Sequence, residues 1–288
     1  MTDVYLNGQF LPLDEACIPV LDRGFLFGDG VYEVIPAYGR RLFRLHEHLQ
    51  RLQRSLSEVR IPEPLDETGW AGVLQRLVDR NEGEDQSVYL QVTRGVLPKR
   101  DHAFGGQDIH PTVFAMSTPL NPPDPAIAEQ GVAAVTLDDI RWQSCHIKAI
   151  TLLPNVLLRQ QAIDAGAAEA ILIRQGQATE GAASNLFVVR DGVIETPPKG
   201  PLLLPGITRD LVLELATAQG LPAREADIPV ERLRDADEVW LTSSTREIVP
   251  VTRLDGVPVG DGQPGPVFRR MHRLYQDYKD AVRRGEAD

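Results

Sequence analysis

The sequence has no long apolar run, few cysteines and few lysines, and each shortage narrows the classes of protein to which it can belong. No run of about 18 apolar residues occurs, so a membrane-spanning helix is not expected. The two cysteines, Cys17 and Cys145, allow at most one disulfide bond, which excludes a disulfide scaffold and favours reduced thiols. The formal net charge is −11 and the 30 basic residues form no cluster, so nucleic acids and anionic membranes are not expected as partners.

The remaining composition is that of a folded, water-soluble protein. Apolar residues make up 42% of the chain and charged residues 25%. A length of 288 residues is enough for two domains of ordinary size. The opening stretch, MTDVYLNGQF, lacks the charged and apolar regions of a signal peptide, so we expect the protein in the cytoplasm.

Turn signals and apolar spacing predict the secondary structure. Hairpins are expected around Asn7-Gly8 and around Gly39, and the glycine-rich stretch 23–34 favours a tight turn that leads into a strand at Tyr32. Apolar residues at helical spacing predict helices over 45–59, 67–80, 154–166, 207–220 and 266–284. Further strands are predicted over 87–95, 111–118, 131–141 and 168–175.

The proline-rich stretch 119–131 predicts the domain boundary, because proline interrupts both helices and sheets. We place the boundary near residue 121, with an N-terminal domain over 1–120 and a C-terminal domain over 121–288. Strands occur in runs with helices between them and without regular βαβ alternation. This order predicts the α+β class in both domains.

The lysines point to one candidate reactive residue. Only four of the basic residues are lysines: Lys99 and Lys199 lie in turn-like segments, and Lys279 is expected on a polar face of the last helix. Lys148 alone has mainly apolar neighbours. Burial disfavours the charged amine, so Lys148 is a candidate for nucleophilic or Schiff-base chemistry. Spacing alone leaves another interpretation, in which the amine extends to water from a strand end.

Three other segments could bind an anion or a charged ring. The stretch 202–210 opens a helix at Gly206, where unpaired N–H groups and the hydroxyl of Thr208 could hold a phosphate; an ordinary helix start is the alternative. Four hydroxyl side chains lie at the strand end over 242–245 and could hold phosphate oxygens. Such clusters are as common at ordinary polar strand ends. Glu180 is followed by small residues, so it could pair with a protonated ring nitrogen, or it could be an exposed residue after a hairpin turn at 175–179. His46 and His48 lie on different faces of a helix, and a metal site is not expected there.

Together these segments resemble the fold-type IV pyridoxal phosphate enzymes, and among them the bacterial D-amino acid aminotransferases. The motifs that carry the resemblance run in order along the chain: DRGFLFGDGVYEV, HEHLQRL, QVTRG, DIRW, CHIK, TEGAASN, PGITRD and LTSSTREI. The resemblance implies a two-domain α+β homodimer with its active site in the cleft between the domains. It also implies the cofactor pyridoxal 5′-phosphate, bound by a lysine of the C-terminal domain.

The resemblance assigns roles residue by residue. Lys148 would form the Schiff base and move the proton, Glu180 would keep the ring nitrogen protonated, and Arg141 would support the cofactor site. The cofactor-binding residues that it implies are Lys148, Arg51, Glu180, Ser184, Asn185, Leu204, Gly206, Ile207, Thr208, Ser243 and Ser244. The substrate carboxylate would be bound by Tyr32 and by the Arg-x-His element of Arg100 and His102, lent by the partner subunit. The loop that holds this element is one residue longer than the family pattern.

The implied reaction is transamination between a D-amino acid such as D-alanine and a 2-oxo acid such as 2-oxoglutarate. Three alternatives share the fold: a branched-chain L-amino acid aminotransferase, an (R)-selective amine transaminase and an aminodeoxychorismate lyase. The Arg-x-His element argues against all three. A non-catalytic dimer that kept the fold is a further alternative, against which Lys148, Glu180 and the phosphate-site residues argue together.

Overall fold

The computed structural model describes residues 2–105 and 109–287 and contains both helices and strands. The helices are α1 (Arg23–Phe27), α2 (Leu45–Glu58), α3 (Glu67–Arg80), α4 (Pro125–Gln130), α5 (Leu153–Asp164), α6 (Ile207–Ala218), α7 (Val230–Arg234) and α8 (Pro266–Arg284). The strands are β1 (Asp3–Leu6), β2 (Gln9–Pro12), β3 (Gly30–Tyr38), β4 (Arg41–Leu42), β5 (Gln86–Thr93), β6 (Thr112–Pro119), β7 (Val132–Asp138), β8 (Glu169–Arg174), β9 (Gln177–Gly181), β10 (Asn185–Arg190), β11 (Val193–Thr196), β12 (Ala223–Glu225), β13 (Ile228–Pro229), β14 (Glu238–Ser243), β15 (Glu247–Leu254) and β16 (Val257–Pro258). Within the described ranges, no helix combines the length and the apolar character needed to cross a membrane.

The chain divides into two compact units. Unit 1 comprises Met1–Asn121, Ile147–Thr151 and Lys279–Asp288, and unit 2 comprises Pro122–His146 and Leu152–Tyr278. The segments 279–288 and 147–151, expected in the C-terminal domain, group with unit 1. Backbone pairing ties 147–151 to unit 1, since Ala149 forms an antiparallel bridge with Val31 at the beginning of β3.

Unit 1 is built on a six-stranded antiparallel sheet in the order β2-β1-β6-β5-β3-β4. One face of this sheet packs against α2 and α3. The core between them consists of fully buried apolar side chains, among them Val31, Ile35, Val88, Leu90, Leu52, Leu56, Trp70 and Leu74. Apolar residues recur at helical spacing in α2 and at alternate positions in β5, which is why each element has one buried face.

Local sequence signals set the ends of several elements in unit 1. Asn7 and Gly8, with φ of 47° and 95°, provide the two left-handed residues of the first hairpin turn. The Asp66 carboxylate accepts a hydrogen bond from the Gly69 N–H and caps the beginning of α3. The glycine-rich stretch 23–34 begins with the short helix α1, which Asp22 caps and which was not predicted; the chain then turns at Gly28, with φ of 64°, into β3, the strand expected at Tyr32.

Unit 2 contains a mixed sheet of ten strands, nine of them in the order β12-β11-β10-β14-β15-β7-β8-β9-β13, with β16 beside β15. Strand β7 runs parallel to β8 and to β15, and the central ladder β10-β14-β15 is antiparallel. The proline-rich stretch after residue 121 is not wholly irregular, because it contains α4. Asp124 caps this helix and Pro125 occupies its first turn, where a missing N–H does no harm.

Candidate functional site

The backbone of Lys148 is fixed against the beginning of β3. The Lys148 carbonyl accepts a hydrogen bond from the Tyr32 N–H at 2.9 Å, and its own N–H donates to Ser55 Oγ at 3.3 Å. Two residues further, the Ile150 N–H donates to the Gly30 carbonyl at 3.0 Å. These bonds on both sides of Lys148 determine where its side chain begins.

The side chain of Lys148 is half-buried, and its amine lies over an aromatic ring. Lys148 Nζ is 4.2 Å from the centroid of the Tyr32 ring, which is the geometry of a cation–π contact. The amine thus has an aromatic contact within its own unit. The structure therefore brings together two of the predicted site residues of unit 1, the amine and the tyrosine.

The position expected for Lys279 from the sequence was wrong. This residue was expected on a polar helix face, but only 6% of its surface is exposed, and its Nζ lies 5.2 Å from the centroid of the Tyr38 ring. Burial alone therefore does not single out Lys148. Its place beside Tyr32 and near a cluster of buried charges does.

That cluster contains Arg51, which was predicted to hold a phosphate. Arg51 donates to both oxygens of Glu33, through Nε at 2.8 Å and Nη2 at 2.7 Å. His48 Nδ1 lies 2.7 Å from the same carboxylate. All three side chains are buried, and a guanidinium has five N–H donors, of which Glu33 occupies two. The arrangement holds the guanidinium in a fixed orientation.

Burial and neighbouring charges shift the pKa values of Glu33 and His48. Burial alone would raise the pKa of Glu33, but the Arg51 guanidinium and the His48 hydrogen bond outweigh it and lower that pKa to about 2. Burial lowers the pKa of His48 below its ordinary value, against the opposite effect of Glu33. Glu33 is therefore a carboxylate at neutral pH, and Arg51 has a permanent counter-charge.

The face of the sheet that carries Tyr32 also carries residues that the sequence analysis did not select. The ring of Tyr89 lies 5.8 Å from that of Tyr32, and its hydroxyl donates to Gln91 Oε1 at 2.6 Å. Burial, followed by the nearby Tyr32, raises the pKa of Tyr89 to about 12, so this hydroxyl keeps its proton. The signal was available in β5, where alternation places Tyr89 and Gln91 opposite the core face.

Arg100 and His102 lie on an exposed loop and meet on one aromatic ring. The guanidinium carbon of Arg100 is 4.7 Å from the centroid of Phe27, and the ring of His102 is 5.2 Å from the same ring. Neither side chain has a hydrogen bond to Tyr32 among the described residues. Within one chain, the structure thus joins the two members of the Arg-x-His element to each other through Phe27.

In unit 2, Glu180 is at the centre of a buried network. Its carboxylate accepts hydrogen bonds from Arg141 Nη1, from Asn185 Nδ2 at 3.1 Å and from the Leu204 N–H at 3.1 Å. Asn185 Nδ2 also donates to the Leu204 carbonyl at 2.8 Å. Glu180 is 4% exposed, so the alternative of an exposed glutamate after the hairpin is wrong.

Arg141 supports Glu180 and is itself held by a second carboxylate. Asp139 accepts from Arg141 Nε at 2.9 Å and from Nη2 at 3.0 Å. Burial raises the pKa of Glu180 to about 7, although the Arg141 guanidinium acts in the opposite direction. A further positive charge beside Glu180 would favour its ionised form, because opposite charges stabilise each other in a buried site.

Small residues allow the close packing around this network. A Cβ on Gly206 would lie 1.9 Å from Asn185 Oδ1, and one on Gly181 would lie 2.2 Å from Ser184 Oγ. Ser184 donates to the buried Glu169 at 3.3 Å. The glycines at these two positions are therefore required by the side chains that approach them.

The beginning of α6 has the properties of an anion site. Gly206 precedes the helix without providing a side-chain cap, and Ile207 and Thr208 in its first turn are 4% exposed each. The N–H groups of a first turn have no partner within the helix and carry the positive end of its dipole. Ser243 and Ser244 are half-buried at the end of β14.

One hydroxyl of the same strand end was not among the selected site residues. Thr242 Oγ1 is buried and has no hydrogen-bond partner among the described residues. Thr242 lies directly opposite Asn185 in the β10–β14 ladder, so both side chains are on one face of the sheet. A buried hydroxyl without a partner is a group that a bound oxygen would satisfy.

These donors fit the chemistry of pyridoxal phosphate, each in its own unit. Unit 2 offers a helix start for a phosphate and, in Glu180, a buried carboxylate that three donors orient and that could pair with a protonated ring nitrogen. Unit 1 offers a half-buried primary amine, Lys148, for an aldehyde.

Comparisons with known proteins agree with this chemistry. The family model described as Amino-transferase class IV matches residues 30–254. The chain is 43% identical over 274 residues to the D-alanine aminotransferase of Bacillus licheniformis, covering 95% of this chain and 96% of that protein. It is 38% identical over 278 residues to the D-alanine aminotransferase of Staphylococcus haemolyticus, covering 96% and 98%.

Solved structures have the same fold. The Escherichia coli branched-chain amino acid aminotransferase matches with a TM-score of 0.89 at 29% identity, over 99% of this chain and 96% of that one. The branched-chain aminotransferase of the thermophilic archaeon Thermoproteus uzoniensis, solved with norvaline, matches with a TM-score of 0.87 at 26% identity, with the same coverage. The chain belongs to the class IV aminotransferases.

Proposed function

We propose that the protein transfers the amino group of a D-amino acid such as D-alanine to a 2-oxo acid such as 2-oxoglutarate, with pyridoxal 5′-phosphate as its cofactor. One observation carries the choice of substrate class. The chain is 43% identical to a D-alanine aminotransferase over 95% of its length, against 29% for the branched-chain aminotransferase of the same fold. The Arg-x-His element, joined on Phe27, supports the same choice.

The cofactor, when bound, withdraws the electron pair left at the substrate α-carbon when its proton is removed. Lys148 Nζ is the group that holds the cofactor aldehyde and, once free, moves the proton at that carbon. The contact with Tyr32 and the backbone bonds around Lys148 limit the positions that the amine can take. A fixed amine reduces the entropy that must be lost before proton transfer.

Glu180 is the carboxylate that keeps a proton on the ring nitrogen. Three donors, Arg141, Asn185 and the Leu204 N–H, orient its two oxygens. Burial raises its pKa to about 7, and a protonated ring nitrogen beside it would favour the ionised carboxylate, as opposite charges stabilise each other in a buried site. Arg141 and Asp139 act by orienting this carboxylate.

We assign the phosphate to the beginning of α6, with Ile207 and Thr208 donating through their N–H groups. Their burial and the absence of a side-chain cap support this assignment. Arg51, Ser243 and Ser244 complete the proposed phosphate set. Glu33 and His48 would fix the orientation of the Arg51 guanidinium.

We further propose a homodimer located in the cytoplasm. Four large apolar side chains on α5 are at least 48% exposed in the single chain, which is unusual unless a partner covers them: Leu153, Val156, Leu157 and Ile163. The exposed positions of Arg100 and His102 are consistent with residues lent to the partner's substrate site. The two free cysteines, Cys17 and Cys145, fit a reducing compartment.

A substrate comparison tests the proposal. The purified protein, loaded with pyridoxal phosphate, is incubated with 2-oxoglutarate and either D-alanine, L-leucine or an (R)-amine, and glutamate formation is measured. We expect turnover with D-alanine. Activity with L-leucine alone would establish the branched-chain alternative, and activity with the amine alone would establish an (R)-selective amine transaminase.

A further inference from the structure

Arg23, a buried residue outside the proposed cofactor and substrate sets, forms hydrogen bonds with the loop that carries the Arg-x-His element. We call residues 100–104 the recognition loop. Three consecutive carbonyls of this loop accept hydrogen bonds from Arg23: Nη1 donates to Asp101 at 2.5 Å and to Ala103 at 3.0 Å, and Nη2 donates to His102 at 3.2 Å. The loop is exposed, but the Arg23 side chain that binds it is only 4% exposed.

Arg23 is held in turn by a pair of opposite charges, the half-buried Asp29 and the buried Arg94. Its Nε donates to Asp29 Oδ2 at 2.7 Å, and Arg94 Nε donates to the same oxygen at 2.8 Å. Burial opposes ionisation of Asp29, but Arg94 and Arg23 outweigh it and lower its pKa below the ordinary value. Asp29 is therefore a charged anchor, which Arg94 holds at both oxygens, and rotation of Arg23 away from it would break the Arg23 Nε bond.

The aromatic ring of Phe27, one helical turn beyond Arg23, contacts the loop from the same helix. The guanidinium carbons of Arg23 and Arg100 lie 4.9 Å and 4.7 Å from its centroid. The His102 ring lies 5.2 Å away. Helix α1 thus holds the loop backbone through Arg23 and both recognition side chains through Phe27.

The far end of the loop is fixed by the other arginine of the buried cluster. The Arg94 guanidinium carbon is 3.7 Å from the centroid of Phe104, and that of Arg60 is 4.9 Å from it. Arg94 also donates to the Val59 carbonyl at 2.7 Å and to the Arg60 carbonyl at 2.9 Å. The recognition loop is therefore bound at its middle by Arg23 and contacted at its end by Arg94. Both arginines pair with Asp29.

Stability alone gives a weak reason for this arrangement. Carbonyls of an exposed loop can be satisfied by water, and burying a charged group is costly unless every partner is well placed. A planar guanidinium that binds three carbonyls at once does, however, specify the path of the backbone, which a lysine could not do. The expected benefit is a fixed direction for the side chains that the loop presents.

We propose that Arg23, assisted by Phe27, is a positioning residue that sets the direction of Arg100 and His102 and thereby the preference for substrates with an α-carboxylate. This inference rests on the proposed function, in which those two side chains bind the carboxylate. It predicts that α1 influences substrate affinity without touching the substrate or the cofactor.

The first test is Arg23→Lys in the cofactor-loaded protein. The ammonium can keep the pair with Asp29 but cannot bind three carbonyls, so the KM for D-alanine should rise about tenfold or more, which corresponds to losing one hydrogen bond to a charged group. The kcat and the Kd for pyridoxal phosphate should stay unchanged. Phe27→Leu is the second variant and should raise the same KM. The control is Arg80→Lys, since Arg80 also pairs with an aspartate, Asp3, in unit 1.

A double-mutant cycle distinguishes positioning from a general structural role. If Arg23 acts through the recognition side chains, Arg23→Lys should add nothing to the KM of the Arg100→Ala/His102→Ala variant. An unchanged KM in Arg23→Lys overturns the inference. So does a full additional increase in that background, or a parallel decrease of kcat, cofactor affinity and melting temperature in both Arg23→Lys and Phe27→Leu.

A measurement without substrate separates this inference from the proposed function. Amide hydrogen exchange over residues 101–104 should be faster in Arg23→Lys than in the wild type and in Arg80→Lys. Equal exchange in all three proteins would show that Arg23 does not restrain the recognition loop. Faster exchange in a protein whose wild type does not consume D-alanine would instead overturn the proposed function and, with it, the assigned consequence for substrates.

Discussion

The amine of Lys148 lies 4.2 Å from the centre of the Tyr32 ring, and the Tyr32 N–H donates to the Lys148 carbonyl at 2.9 Å. The two residues are 116 positions apart in the sequence, yet each fixes the other through both backbone and side chain. The proposed reactive amine and the proposed carboxylate-binding tyrosine are therefore one structural unit at the beginning of β3. Substitutions at either residue should be interpreted with this coupling in mind.

Replacing Lys148 by alanine should abolish turnover while the protein still folds. The amine is proposed to hold the cofactor and to move the proton, and general acid–base catalysis alone contributes about 10²–10⁴ in rate. The matched control is Lys199→Ala, because Lys199 is a half-exposed lysine paired with Asp210 on the surface. Glutamate formation from D-alanine and 2-oxoglutarate is the measurement. Repeated turnover by the alanine variant would remove Lys148 from its assigned role.

Replacing Glu180 by glutamine should lower kcat by about 10²–10³, the magnitude typical of losing one preorganised electrostatic partner. The amide keeps the shape of the side chain but cannot stabilise a proton on the ring nitrogen. Folding should persist because Arg141 keeps its bonds to Asp139. Steady-state kinetics are compared with those of Glu129→Gln, an exposed position on α4. Wild-type kcat in Glu180→Gln would contradict the assignment.

The regular elements could be predicted from local pattern because their signals lie within a few residues. The predicted helix over 67–80 coincides with α3, and the predicted helix over 45–59 differs from α2 by one residue at its end. Apolar residues at helical spacing are sufficient for both helices, and α3 also begins with the Asp66 cap. Helix α1 was missed because five residues are too few to show a helical period.

The partners of the charged residues could not be predicted in the same way. Arg51 and Glu33 come from α2 and β3, and nothing in either segment names the other as its partner. One signal was present but not used: Glu33 lies at alternate positions with Val31 and Ile35, so its side chain is on the core face of β3. A carboxylate on a core face requires a cation, and Arg51 meets that requirement.

The stability of the protein should depend on Glu33 in acid. Its pKa is about 2 in the folded state against an ordinary value of 4.5, so the contribution is fully present above pH 4.5 and is lost as the pH falls from 4.5 towards 2. A shift of this size corresponds to about 3 kcal/mol. The free energy of unfolding, measured with urea at several pH values, should therefore decrease more steeply in the wild type than in Glu33→Gln.

The same variant should already be unstable at neutral pH, by about 3–5 kcal/mol, because it leaves the buried Arg51 guanidinium without a counter-charge. The difference in unfolding free energy between the wild type and Glu33→Gln should shrink as the pH falls below 4.5. Glu63→Gln, at an exposed position, serves as the control and should follow the wild type. A constant difference between pH 7 and pH 3 would show that Glu33 is not the group that titrates.

Adding one methyl group at Gly206 should disturb the Glu180 network by steric contact alone. Gly206 has an ordinary φ of −70°, so alanine causes no backbone strain, but its Cβ would lie 1.9 Å from Asn185 Oδ1. Asn185 must move, and Glu180 loses a hydrogen bond, so we expect a destabilisation of about 1–3 kcal/mol and a higher Kd for pyridoxal phosphate. Gly200→Ala, which meets open space in the same unit, should have neither effect in urea unfolding and cofactor titration.

Because the clash requires Asn185, combining Gly206→Ala with Asn185→Ala should cost less than the sum of the two changes. A fully additive double variant would show that the tight approach of these two residues does not organise the site.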